Sequence, residues 1–136
     1  MYCLDTYVII FALNRRRPAI AARLAAELSA KTRLIVPAAA MFELEYGIAK
    51  SERGPQSRIP LDAFLANGFE FAPFDAADAR EAGGIRAVLE RAGSPIGPFD
   101  YLIAAQARRR GAALVTTNLR EFERVQGLIV TDWAAK

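Results

Sequence analysis

The chain has 136 residues, 53% of them hydrophobic and 24% charged, and 18 Lys and Arg against 15 Asp and Glu give a formal net charge of +3. That length supports one domain, spanning 1–136, which buries roughly two thirds of its unfolded surface, and the composition excludes an intrinsically disordered chain. With one cysteine, Cys3, and no histidine, the chain also excludes an intrachain disulfide framework, zinc sites built on thiolate or imidazole, Ser-His-Asp triads and imidazole-based RNA cleavage.

Tyr2–Asp5 reads as a buried strand, with Cys3 as a core thiol and an Asp-Thr step at its carboxyl end, where open α/β sheets build their sites. Tyr7–Leu13 is apolar and continues as a short helix stopped by Asn14. It is too short to span a bilayer, and no other segment approaches ~18 uncharged apolar residues. With no basic stretch at the N-terminus, a soluble cytoplasmic protein with no membrane role is expected. Pro18 suits the first turn of a helix reaching Ser29, with Ile20, Leu24 and Leu28 at helical spacing. Arg33–Pro37 is a second strand.

Ala38–Ala49 reads as a helix with Met41, Leu44 and Ile48 on one side and Phe42 and Tyr46 flanking them. Glu43 and Glu45 interrupt it and point about 200° apart, so at most one faces a shared site. Lys50–Pro60 is a charged, Pro- and Gly-bearing connection, followed by a helix over Leu61–Asn67 and the punctuating Gly68. Phe69–Phe74 alternates as a third strand. Asp75 caps a helix over Ala76–Ala92, in which Gly83 and Gly84 suggest a closely packed neighbour, and Gly93 ends it.

The loop Ser94–Phe99 leads to a helix over Asp100–Arg110, then a strand at Ala113–Val115, an acid-bearing turn with Asn118 and Glu121, and a last strand at Leu128–Val130 before Trp133. Strands alternating with helices imply parallel pairing. The fold class expected is an α/β/α sandwich around a central, mainly parallel sheet of four to five strands.

Asp5, Glu43, Asp100 and Glu121 each stand where an apolar element meets a turn. Gathering carboxylates at ~4 Å costs about 1 to 4 kcal/mol per pair, which a divalent cation removes. Oxygen ligands alone select Mg²⁺ or Mn²⁺. Such an ion activates water and polarises a phosphoryl oxygen for in-line hydrolysis. Each acid also has a plainer reading: Asp5 as a turn cap, Asp100 as the cap of the helix it opens, Glu43 in an internal ion pair, Glu121 paired with Arg120 or Arg124. Glu45 is read as solvated or salt-bridged, and Asp62, Asp75, Asp78 and Asp132 as surface or capping acids. The basic clusters Arg15–Arg17 and Arg108–Arg110 are candidates for phosphate contact, with Arg15, Arg16 and Arg17 as the RNA-binding set.

In order along the chain, LDTYVI, ELEYG, IGPFDYLIAA, ALVTTNLREFERV and GLIVTDW resemble the VapC-type PIN-domain toxins. The resemblance covers essentially the whole chain. It implies a PIN-like fold and a Mg²⁺-dependent endoribonuclease acting as the toxin of a type II toxin–antitoxin pair. Asp5, Glu43 and Asp100 would hold the metal, Asn118 and Glu121 would complete the catalytic pocket, and Thr6 and Thr116 would stand behind it as supporting hydroxyls. It further implies an RNA substrate of the tRNA or rRNA class, a VapB-like antitoxin and a homodimer. The chain departs from the family pattern at Tyr7, where Asn is usual, and at Gln106, where His is common.

Two other readings compete with this one. A haloacid-dehalogenase-type phosphatase shares the Asp-Thr step but needs a second Asp where Tyr7 stands. A catalytically weak PIN-fold module that only binds RNA or protein would keep the fold without the cleavage.

Overall fold

Five short strands carry the fold, seen in a computed structural model that describes residues 1–134. They are β1 (Tyr2–Leu4), β2 (Leu34–Pro37), β3 (Glu70–Ala72), β4 (Ala113–Val115) and β5 (Val130–Thr131), paired in the order β3-β2-β1-β4-β5 and parallel throughout. The helices are α1 (Thr6–Asn14), α2 (Pro18–Ser29), α3 (Ala38–Lys50), α4 (Gly54–Leu65), α5 (Ala76–Arg91), α6 (Pro98–Arg109) and the single turn α7 (Leu119–Phe122). From β1 the chain builds outward to one side through β2 and β3, then returns to the other side through β4 and β5. The strand order therefore reverses between β1 and β4, and a crevice forms at their carboxyl ends.

Strand periodicity divides the core into two layers. Cys3, Ile35 and Leu114 share one face through the registers Cys3 with Ile35 and Cys3 with Leu114, and pack with Ile85, Leu89, Ile103 and Phe122 from α5, α6 and α7. Leu4, Val36 and Val115 take the opposite face, against Val8, Ile9, Ile20, Leu24 and Leu61 from α1, α2 and α4. Each fully buried Leu or Ile stabilises by about 1.5–3 kcal/mol, so both layers are needed to hold strands this short in place. Burial also raises the Cys3 thiol to about 12, which leaves it inert. Gln106 is fully buried and satisfied: its Oε1 accepts from Ala39 N at 3.1 Å and its Nε2 donates to the carbonyls of Ala72 and Pro73 at 2.9 and 3.2 Å. It ties α6 to the start of α3 and the end of β3, so its role is structural.

Several elements differ from their sequence readings. The connection at Lys50–Pro60 is mostly helical, because α4 starts at Gly54 and runs through Pro60. A Cβ at Gly54 would come within 2.9 Å of the Ile48 carbonyl, so glycine lets α4 start against the end of α3. Leu61 in the core and the Phe64–Phe69 ring contact at 5.0 Å then outweigh the hydrogen bond lost at Pro60. The last strand begins at Val130 rather than Leu128, since Gly127 at φ 81° turns the chain before it pairs with β4. Gly83 and Gly84 are not packed closely: a Cβ at either meets nothing within 4 Å. Gly83→Ala or Gly84→Ala is therefore expected to stabilise by about 0.5–1 kcal/mol. Chemical denaturation would read this as a higher midpoint, and a lower one would reveal a packing role for glycine.

Asp78 is neither a surface acid nor only a cap. It forms a capping box with Asp75, its side chain is sealed from solvent, and Arg109 and Arg110 bind it at 2.7 and 3.0 Å. Burial pushes its carboxyl up, but the hydrogen bonds from Arg110, Arg109 and the Asp75 amide outweigh that and hold it at about 2. With Arg108 on Glu81 at 2.7 Å, the second basic cluster is spent on the acids of α5. Asp78→Ala is expected to cost about 3 kcal/mol, because it takes the only carboxylate that Arg110 has among the described residues, leaves Arg109 with Asp75 alone and breaks the capping box. Thermal melting at neutral pH would show this, and an unchanged midpoint would reduce the cluster to surface pairing.

Candidate active site

Asp5 N donates to the Val115 carbonyl at 3.0 Å, which sets the end of β1 beside the end of β4 at the switch point. There the Asp5 carboxylate accepts from the Thr6 amide at 2.8 Å, capping α1, and from the Thr116 hydroxyl at 2.7 Å. Burial raises the Asp5 pKa, the two hydrogen bonds lower it, and the nearby Glu43 charge raises it further. The net shift is upward. The Thr6 hydroxyl donates to Glu43 Oε1 at 2.7 Å, so α3 presents Glu43 to the same place. Glu45, on the other side of α3, is ion-paired with Arg58.

Asp100 does not cap its helix. Gly97 holds the N-cap position, and Pro98 and Asp100 both sit in the first turn after it. A Cβ on Gly97 would stand 2.8 Å from Asp100 Oδ2, so the bare glycine makes room for that carboxylate. The Asp100 carboxyl is raised to about 7, first by burial, then by the charges of Asp5, Glu121 and Glu43, and by a hydrogen bond shared with Glu121. Glu121 takes no arginine. It accepts from Asn118 Nδ2 at 3.0 Å, while Arg124 binds the Pro95 carbonyl. The Asn118 amide donates to the Thr116 hydroxyl at 2.9 Å, linking this turn back to Asp5.

Four carboxylates, one at the junction of β1 and α1 and one each on α3, α6 and α7, thus face one another across the crevice. Among the described residues, none of them forms a salt bridge with Lys or Arg. No three acidic or cysteine side chains among the described residues are already placed to hold a metal ion together. Thr6 bonds Glu43, Thr116 bonds Asp5 and Asn118 bonds Glu121, so all three touch the acids of this cup. Arg15, Arg16 and Arg17 are not at the cup: they follow the far end of α1, about 13 Å along the helix from Asp5, and are exposed. The spacing-based reading had no hold on Gly97, whose signal was only a Gly-Pro step three residues before an acid.

A parallel sheet with this strand order and an acidic cup at its switch point defines a PIN domain, and the PIN domain family pattern matches residues 2–128. The chain is 36% identical over 133 residues to the tRNA(fMet)-specific endonuclease VapC of Shigella flexneri, covering 98% of both. It is 37% identical over 134 residues to ribonuclease VapC2 of Rickettsia felis, again covering 98% of both. The crystal structure of DNA-bound VapBC from Salmonella typhimurium superposes with a TM-score of 0.87 at 36% identity, covering 97% of each chain. The chain belongs to the VapC family of PIN-domain endoribonucleases, the toxins of type II VapBC toxin–antitoxin systems. Nucleases of this kind use a divalent metal.

Proposed function

We propose that the protein cleaves tRNA with Mg²⁺, or Mn²⁺ in its place, held by Asp5, Glu43 and Asp100, and that Asn118 and Glu121 complete the pocket. The observation that carries this is the cup itself: four facing carboxylates with no salt-bridging cation among the described residues. Its donor set, oxygen only in a chain without histidine and with its one thiol buried, fits a hard divalent ion. When bound, the ion neutralises the cup, polarises a phosphoryl oxygen and makes water nucleophilic at neutral pH.

The chain's own part is positional. Thr116 and the Thr6 amide hold Asp5, the Thr6 hydroxyl holds Glu43, and Asn118 holds Glu121. Asp100, raised to about 7 by burial and its acidic neighbours, would serve as a ligand in its ionised form. A silent binding module is disfavoured because Tyr7 is 57% exposed and lines a neighbouring cleft, which leaves the cup open.

tRNA is favoured over rRNA because a full-length relative is named for tRNA(fMet). A VapB-like antitoxin is favoured because a solved relative is a VapBC complex. The single domain acts in the cytoplasm and pairs as a homodimer, which sedimentation would read directly. No helix among the described residues is long and apolar enough to cross a membrane. The test is mapping of new 5′ ends after incubating purified protein with total RNA, with and without Mg²⁺. Ends confined to one tRNA and absent with Asp100→Ala support the reading, and metal-independent ends would sink it.

A further inference from the structure

Gly97 abuts the carboxylate of Asp100, and nothing in its own backbone calls for a glycine. Its φ of −60° and ψ of 147° lie in the extended region open to every residue. As the N-cap of α6 it supplies no side chain, where Ser, Asn or Asp would satisfy an amide of the first turn. Of the nine glycines it alone is opposed at under 3 Å by a side chain: a Cβ there would stand 2.8 Å from Asp100 Oδ2 and 3.4 Å from its Cγ.

The loop that carries this glycine is latched in place. Ser94 N donates to the Leu89 carbonyl at 2.9 Å, the Pro95 carbonyl accepts from Arg124 Nη1 at 2.8 Å, and Ile96 N donates to the Tyr101 hydroxyl at 3.1 Å. Ile96 and Tyr101 are both core residues, and the Gly97 carbonyl accepts from the Asp100 amide at 3.0 Å to open α6. Ser94–Gly97 is thus tied to α5, to α6 and to the turn after α7, a fixed wall against which only the Asp100 side chain is free to turn. On its other side that carboxylate faces the charges of Asp5, Glu121 and Glu43. Pushed off Gly97, it would turn away from three like charges rather than toward them.

We infer that Gly97 is a positioning residue for the cation site: the space left by its missing side chain, walled by the latched loop, sets the orientation in which Asp100 can share a cation with Asp5 and Glu43. The inference rests on the reading of these carboxylates as a metal site.

The test is Mn²⁺ titration by electron paramagnetic resonance on wild type, Gly97→Ala, Asp100→Ala and the double variant, with melting in EDTA beside it. Gly97→Ala should bind Mn²⁺ about tenfold more weakly than wild type, since Asp100 then reaches the ion only from a strained rotamer. In the Asp100→Ala background no carboxylate is left to displace, and the same substitution should change nothing. The metal-free melting temperature should not fall, because alanine suits this backbone and the displaced carboxylate leaves its like-charged neighbours.

Wild-type Mn²⁺ affinity in Gly97→Ala overturns the positioning role. So does an equal loss in both backgrounds, or a lower metal-free melting temperature, either of which would make the glycine a matter of general packing. Failure of the metal reading looks different: wild type itself then takes up no Mn²⁺, and both inferences fall together.

Discussion

Asp100→Asn is expected to lower RNA cleavage on the order of 10³-fold, while the metal-free protein melts at a higher temperature than wild type. The loss of rate follows from removing one of three proposed cation ligands, whose combined effect on the transition state amounts to several kcal/mol. The gain in stability follows from the same geometry. Asp100 is the acid most strongly opposed by its surroundings, raised to about 7 by burial and by Asp5, Glu121 and Glu43. At pH 8 it is ionised against three carboxylates, and an amide of the same shape removes that repulsion. Because solvent reaches Asp100 from one side, the gain is discounted to about 1–2 kcal/mol, or about 3–8 °C in melting temperature. Calorimetry in EDTA beside a cleavage assay would check both halves. A variant that keeps wild-type activity, or that melts lower without metal, would remove Asp100 from the centre of the site.

That coupling explains why the acids were more legible in the sequence than the frame around them. A carboxylate at the end of an apolar element has few plain explanations, so Asp5, Glu43 and Asp100 stand out one by one, and the strand order then brings them together. The parallel sandwich was legible too, because alternating short strands and helices admit few packings. What the pattern hid depends on contacts between distant segments. Proline and glycine in Lys50–Pro60 read as a break, yet Leu61 and Phe64 pull the stretch into α4. Asp78 looks like any cap until α6 returns and lays two arginines over it. Those arginines in turn looked available for RNA. Gly83 and Gly84 imply packing only if a neighbour comes close, and none does.

The metal-free protein should also lose stability as pH rises from about 4 to about 7, the reverse of the usual acid denaturation. The folded-state pKa of Asp100 is raised from an ordinary 3.8 to about 7, and that of Asp5 is raised as well. Between these limits the folded chain holds protons that the unfolded chain has released. Stability from this source is fully present below about 4 and is lost as pH climbs through 7, at no more than about 1.4 kcal/mol per pH unit for each proton. Asp78 has the opposite sign: its depressed pKa stabilises above about 4, and that contribution fades as pH falls toward 2. The metal-free optimum therefore lies near pH 4–5. Mg²⁺ should displace the shared proton and abolish the decline, so that melting temperatures with and without EDTA diverge above pH 6. A metal-free profile that is flat or rising between pH 5 and 8 would mean that the carboxylates do not oppose one another, and the reason for a cation in the crevice would go with it.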